Sequence, residues 1–410
     1  MTEKAAAKFP EKAAAARVAD EFGKTCASLG ILIAMAAILG EAMLLSGAAE
    51  SIATALLRWT GAARSHWAFF GSSFLLCIPV MLDTVFYLLS PLTRAVARRT
   101  GRNYLLLVMC TVAGGTITHS LVPPTPGPLF VAAELGVSLG LMIGVGAAIG
   151  IGAALFGVAF ATVANRRHHL DVPDEAPVEE NVQLTRALPS LWISLVPVFL
   201  PIILIGGEAT FAQMLAPNSW ERWFVTTIGE KNMALTIGAL IALLTLARQR
   251  DGNAAGKSVQ AALHSGAIIL LIIAAGGAFG AMLRQTGISE VLGTMMSGTQ
   301  LLALPAVFLI TTLVRTAQGS ATVAMITAAP IAKAFLESGT VETHPVYFAV
   351  AIGCGSKPFS WMNDAGFWII TRLSGLSESL ALRTVSPMMA LQGVAGLILT
   401  MIAAWLFPLR

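Results

Sequence analysis

Charge is what this sequence of 410 residues has least of: Asp, Glu, Lys and Arg make up 12% of it, about half the share found in an ordinary soluble domain. A chain that is 56% hydrophobic with so little charge cannot cover its apolar surface with water-facing groups, which excludes a soluble globular protein. Cysteine is nearly absent. Cys26, Cys77, Cys110 and Cys354 sit singly in apolar runs, which excludes a disulfide framework or a metal knuckle and suits small packing residues. Neither a metal nor a cofactor is expected. No basic patch with interleaved aromatics occurs, so the net charge of +4 does not point to nucleic acid; loop Lys and Arg supply it, as the topology rule of membrane proteins explains. A clear signal-peptide cleavage site is missing, and the apolar run after the polar residues 1–25 is too long for a signal peptide.

What is present is a series of apolar stretches long enough to span a bilayer, at 26–46, 137–163, 188–206, 233–247, 266–283 and 385–407. Backbone amides in lipid must be satisfied within the chain, so an all-α polytopic membrane protein of about ten spans is expected.

An internal repeat organises these stretches. At an offset near 240 residues, "ILGEAMLLSGAAESI" (38–52) lies over "AFGAMLRQTGISEVL" (278–292), pairing Gly40 with Gly280, Gly47 with Gly287 and Glu50 with Glu290. The register then shifts by one residue and holds: Pro91 meets Pro330, Thr125 meets Asp364 and Gly127 meets Gly366. This predicts a polar N-terminal segment (1–25), a first transmembrane repeat (26–164), a cytoplasmic linker (165–187) and a second repeat (188–410). The second half carries two extra apolar segments, 188–206 and 233–247, so either the halves are asymmetric or one or two N-terminal spans are missing.

Arg166, Arg167 and Arg186 assign the linker to the cytoplasm. Segments 66–91 and 301–334 either cross once or return as re-entrant hairpins broken at Pro79 and near Gly319. In the hairpin arrangement the flanks of the first, with Arg58, Arg64, Arg94, Arg98, Arg99 and Arg102, face the cytoplasm. The flanks of the second, 286–300 and 336–344, lack Lys and Arg and face outside, so the halves form an inverted-topology repeat. Lys4, Lys8, Lys12, Arg17 and Lys24 then fall outside, which favours single crossings or a missing upstream span.

Four segments interrupt the helical pattern: "CIPVMLDTVFYLLSP" (77–91), "THSLVPPTPGPL" (118–129), "RTAQGSATVAM" (315–325) and "GCGSKPFSWMNDAGF" (353–367). Taken alone, 118–129 also reads as an extramembrane turn. Irregular backbone at membrane depth is tolerated only in protein or beside a watery cavity, so four such discontinuous helices mark a binding site. Free N–H groups at half-helix starts favour an anion, and freed carbonyls favour a cation or proton. The expected substrate-binding residues are Ser120, Pro124, Thr125, Gly127, Arg315, Gln318, Ser320, Ser356 and Asn363. An ionisable group at membrane depth costs roughly 2.5–3.5 kcal/mol on insertion scales, so Asp83 and Asp364 read as functional, and with His119 they are the candidate proton carriers. Arg315 is either a two-pronged carboxylate clamp or an interfacial anchor, Lys357 equally fits snorkelling to the surface, and Glu41 either relays protons or pairs with a neighbour.

In order, "IPVMLDTVFYLLSPL", "THSLVPPTPGPL", "RTAQGSATVAMITAAP" and "NDAGFW" resemble the gluconate permease family of gluconate:proton symporters, within the ion transporter superfamily, over about residue 22 to the C-terminus. The resemblance implies an inner-membrane carrier of gluconate or related small sugar, hydroxy or amino acids, driven by protons, with sodium as the alternative. It also implies inverted repeats, paired re-entrant hairpins, a homodimer and additional N-terminal spans. Thr125 stands where many members read "PPHPGP", and "GSKPFSWMND" departs from "GSLVFSHVND" at Lys357, Pro358 and Trp361, which bears on the solute. Two other classes fit less well. An intramembrane aspartic protease needs a carboxylate dyad, but neither Asp83 nor Asp364 has the Gly-x-Gly-Asp setting. A channel also uses broken helices, yet distinct polar groups in two repeats suit alternating access better.

Overall fold

The computed structural model describes residues 13–101, 103–173, 188–212, 214–249, 252–286, 302–338 and 341–409. Residues 1–12 with Lys4, Lys8 and Lys12, Arg102, the part of the linker with Arg186, and the part of the repeat with Gly287 and Glu290 lie outside the described residues.

Every regular element among the described residues is helical. The first half contains α1 (Ala14–Leu45), α2 (Ala48–Thr60), α3 (Ser65–Leu76), α4 (Leu82–Thr100), α5 (Tyr104–Leu121), α6 (Pro126–Glu134) and α7 (Leu139–Arg167). There follow α8 (Leu191–Phe211), α9 (Trp220–Gly229), α10 (Lys231–Gln249) and α11 (Gly252–Arg284). The chain ends with α12 (Ala303–Gln318), α13 (Ala321–Glu337), α14 (Pro345–Gly355), α15 (Ala365–Ser374) and α16 (Glu378–Leu406). Seven of the described helical stretches are long and apolar enough to cross a membrane, counting Tyr104–Glu134 as one, and each of the six apolar runs read from sequence overlaps one of them. The protein is a multi-pass membrane protein.

The repeat is visible in the helix order. An offset of 239 carries Leu82, Pro126 and Leu139, which open α4, α6 and α7, onto Ala321, Ala365 and Glu378, which open α13, α15 and α16. Equivalent elements also meet: α1 packs along α11, and α7 along α16. The extra apolar segments of the second half are α8 and α10, which pack on each other, and α10 also lines α1.

Each break has a local cause. Pro79 lies in the non-helical stretch between α3 and α4 and cannot donate a backbone bond. The prolines at 123–128 separate α5 from α6. Gly319 adopts φ +80, a conformation L side chains rarely take, and closes α12 while Ser320 caps α13 by accepting from Val323 N at 3.3 Å. The helices on either side of this tip pack against each other, so the chain turns back on itself. Asp364 caps α15, its Oδ1 accepting from Gly366 N at 2.9 Å.

The core is α5, whose residues are buried along its whole length. Its sequence is apolar on all sides, as a helix enclosed by protein requires. A side chain at Gly114 would meet the Phe70 carbonyl oxygen and stand 3.1 Å from Phe74 N, so glycine is what lets α5 approach the α3 backbone. Gly114→Val should therefore destabilise the protein by about 1–3 kcal/mol, seen as a lower unfolding temperature in detergent. An unchanged melt would show that α3 yields freely.

Candidate functional site

Three of the half-helix starts converge. Leu82 and Asp83 from α4, Ala321 and Thr322 from α13, and Ala365 and Gly366 from α15 all line one cavity of about 270 Å³, near the lower limit of about 300 Å³ for small-molecule sites. Each helix start presents roughly half a positive charge, with the Ser320 and Asp364 caps taking one N–H each at α13 and α15. The cavity therefore favours an anion before any side chain is counted.

The side chains add two basic groups. Arg315, in the last turn of α12, is 2% exposed. Its Nη2 pairs with Asp364 Oδ2, its Nε donates to Ser356 O at 3.2 Å, and its Nη1 is buried with no hydrogen-bond partner among the described residues. Lys357 is equally buried and donates from Nζ to Thr116 O at 2.7 Å. Thr116 is held in turn through its contact with Gln392, whose Nε2 donates to Ala113 O at 2.9 Å and so ties α16 to α5. Snorkelling of Lys357 and interfacial anchoring of Arg315 are both overturned: the polar heads of these side chains find their partners inside the protein.

The two aspartates differ in kind. Asp364 is fully engaged, accepting from Arg315, from the Ser360 hydroxyl and from Gly366 N. Asp83 lines the same cavity, and its carboxylate has no hydrogen-bond or ion-pair partner among the described residues. They face one another across Gly366, where an added Cβ would lie 3.4 Å from Asp364 Oδ1 and 3.8 Å from Asp83 Oδ1.

Of the other residues singled out in the sequence, Gln318, Ser320, Asn363 and His119 line this cavity. His119 Nδ1 is buried without a partner among the described residues, and Asn363 ties the region to α12 by donating to Thr316 O at 2.8 Å. The rest lie elsewhere. Pro124 and Thr125 line a neighbouring chamber with Glu41, because the α6 start faces α1 and α11. Ser120 and Ser356 are fully buried behind the cavity and share a hydrogen bond of 3.2 Å, Ser356 serving to position Arg315. Gly127 packs on Met325 and Thr322 of α13. Sequence reasoning missed Ser360 and Thr116 and left Lys357 open between the surroundings of the site and the membrane surface; the signal for the lysine was its position in the same helix break as Asp364.

Residues 5–406 match the profile of a family described as GntP family permease. The chain belongs to the GntP permease family. It is 33% identical to a gluconate permease of Pseudomonas aeruginosa over 385 residues, covering 92% of this chain and 85% of the relative. It is 32% identical to an uncharacterized permease of Haemophilus influenzae over 372 residues, covering 87% and 76%. Among solved structures it resembles the Alcanivorax borkumensis YdaH transporter, whose crystal structure shows an unusual topology, with a TM-score of 0.67 at 15% identity over 95% of this chain and 88% of that one. At that identity the likeness speaks for the fold alone. This GntP permease is thus a transporter and not an enzyme, and the protease reading of Asp83 and Asp364 falls.

Proposed function

We propose that this permease is an inner-membrane symporter that carries one gluconate-like sugar acid with one proton. The observation that supports it is the charge set of the cavity: Arg315 paired with Asp364, and Lys357 lining the same cavity as Asp83, whose carboxylate has no partner among the described residues. With Asp83 ionised and Lys357 an ammonium, the four side chains balance. A proton on Asp83 leaves one positive charge, and a bound monocarboxylate restores neutrality. Unbalanced charge at membrane depth costs several kcal/mol, so the empty carrier and the fully loaded one move, whereas a half-loaded one is held back. The carboxylate would lie toward Arg315 Nη1, Lys357 and the helix starts, with the sugar hydroxyls on Gln318, Ser320, Asn363 and His119. The name of the Pseudomonas relative supports gluconate as the first solute to try. The recurring helix order and the loop charges support two inverted halves, 26–164 and 188–410, that expose the cavity alternately to each face.

The test is uptake by the purified chain in proteoliposomes, using a panel of sugar, hydroxy and amino acids under an imposed pH or sodium gradient. Accumulation of gluconate or a close relative driven by an inward proton gradient is expected. Accumulation driven by sodium at equal pH would overturn the coupling, and uptake confined to amino acids would overturn the substrate class.

A further inference from the structure

The Pro-rich break between α5 and α6 does not serve the substrate cavity, so its own chamber calls for a separate account. That chamber, of about 130 Å³, is lined by Glu41 of α1, Thr84 of α4, Thr125 at the α6 start and Ser265 of α11. A volume on the order of 10–15 Å³ suffices for one water, so several fit. Glu41 is half-buried in a membrane-crossing helix and makes no hydrogen bond or ion pair among the described residues.

Nothing nearby fixes a negative charge on it. Lys231 and Arg248 of α10, Lys257 and His264 of α11, and Glu50 and Arg58 of α2 do not line the chamber, and Asp83 of α4 lies on the cavity side of Met81. Pro126 and Pro128 remove two of the N–H groups that a helix start would offer an anion, and the Thr125 hydroxyl is spent on Val122 O at 2.8 Å. Asp364, by contrast, accepts from a guanidinium, a hydroxyl and a helix start. A carboxyl group that is neither paired nor capped, in a chamber with room for water, is suited to exchanging protons. Met81 lines both this chamber and the substrate cavity and is the wall they share.

We propose that Glu41 is a second proton station, which hands protons through chamber water past Met81 to Asp83. In the transfer the Glu41 O–H bond breaks, Asp83 gains an O–H, and Glu41 is left as a carboxylate that water reprotonates. Proton and substrate thereby reach the cavity by different routes, so a bound sugar acid does not block the proton it travels with. The proposal rests on proton coupling at Asp83.

Full-length Glu41→Gln is reconstituted beside wild type and Asp83→Asn, and three quantities are read: proton-driven uptake, substrate-induced proton entry with a trapped pH dye, and substrate counterflow at equal pH. Glu41→Gln is expected to lower the first two by about tenfold or more and to leave counterflow within about twofold. Ser265→Leu, which fills the chamber from α11 without touching the substrate cavity, should show the same split, and Glu41→Asp should retain proton-driven uptake. Wild-type proton-driven rates in both Glu41→Gln and Ser265→Leu, with Asp83→Asn uncoupled, would overturn the station and leave the Asp83 reading intact. Equal loss of counterflow and driven uptake in both would mark a structural role and overturn it as well. Accumulation by Asp83→Asn would remove the Asp83 reading and the station with it.

Discussion

Asp83→Asn is expected to abolish proton-driven accumulation of substrate while downhill exchange persists. Asparagine has nearly the shape of a protonated aspartate but cannot ionise, so it holds the cavity in the state with one uncompensated positive charge. Two unit charges about 4 Å apart interact by about 4 kcal/mol at an effective dielectric near 20, close to a thousandfold in affinity. In the wild type, substrate binding should therefore tighten as pH falls, because the protonated form of Asp83 no longer repels the carboxylate. By reciprocity, bound substrate strengthens proton binding by the same factor. In Asp83→Asn the affinity should be flat with pH and the substrate-induced proton flux absent, as measured by titrating binding to the purified protein and by a pH dye in proteoliposomes. Asp364 is not expected to substitute, since its oxygens are occupied by Arg315, Ser360 and Gly366. A variant that still concentrates substrate, or whose binding keeps its pH slope, would move the coupling group elsewhere.

The frame of this molecule was legible in the sequence because it depends on local rules. Apolar length located the spans, and proline or glycine located the breaks at Pro79, Pro123–Pro128 and Gly319. The repeat register anticipated that Thr125 and Asp364 hold equivalent positions, and each stands at the N-cap position of a half-helix, before α6 and α15, though only Asp364 makes a side-chain cap bond. What the register could not give is the direction in which a half-helix start points. Thr125 faces Glu41, whereas Asp364 faces Asp83, and the chamber before Thr125 is walled by α1 and α11, the latter remote in sequence from that break. The place of Lys357 stayed open for a related reason. A lysine in an apolar segment can reach the interface if its stem lies along lipid, but here the stem is enclosed and a carbonyl of α5 receives the ammonium. Partners more than 200 residues apart, such as Lys357 with Thr116 and Ser356 with Ser120, leave no local trace in composition or spacing.

Arg315→Gln is expected to eliminate substrate binding and also to weaken the fold, and the two effects are separable. Arg315 is 2% exposed and Asp364 14% exposed; removing one member of such a buried pair leaves an uncompensated charge and typically costs about 3–5 kcal/mol. Part of that loss should return in Arg315→Gln combined with Asp364→Asn, because the stranded carboxylate is then gone, and thermal unfolding in detergent measures the recovery. Transport should not return, since in the proposed symport the buried Nη1, with no partner among the described residues, donates to the substrate. Arg315→Lys tests the same point from the other side. An ammonium keeps the charge but cannot reach Asp364, the Ser356 carbonyl and a ligand with one planar fork, so stability should be partly kept while binding falls by about two orders of magnitude. If Arg315→Lys binds the transported acid as the wild type does, the guanidinium serves only to hold Asp364, and Lys357 with the three helix starts must supply the anion site alone.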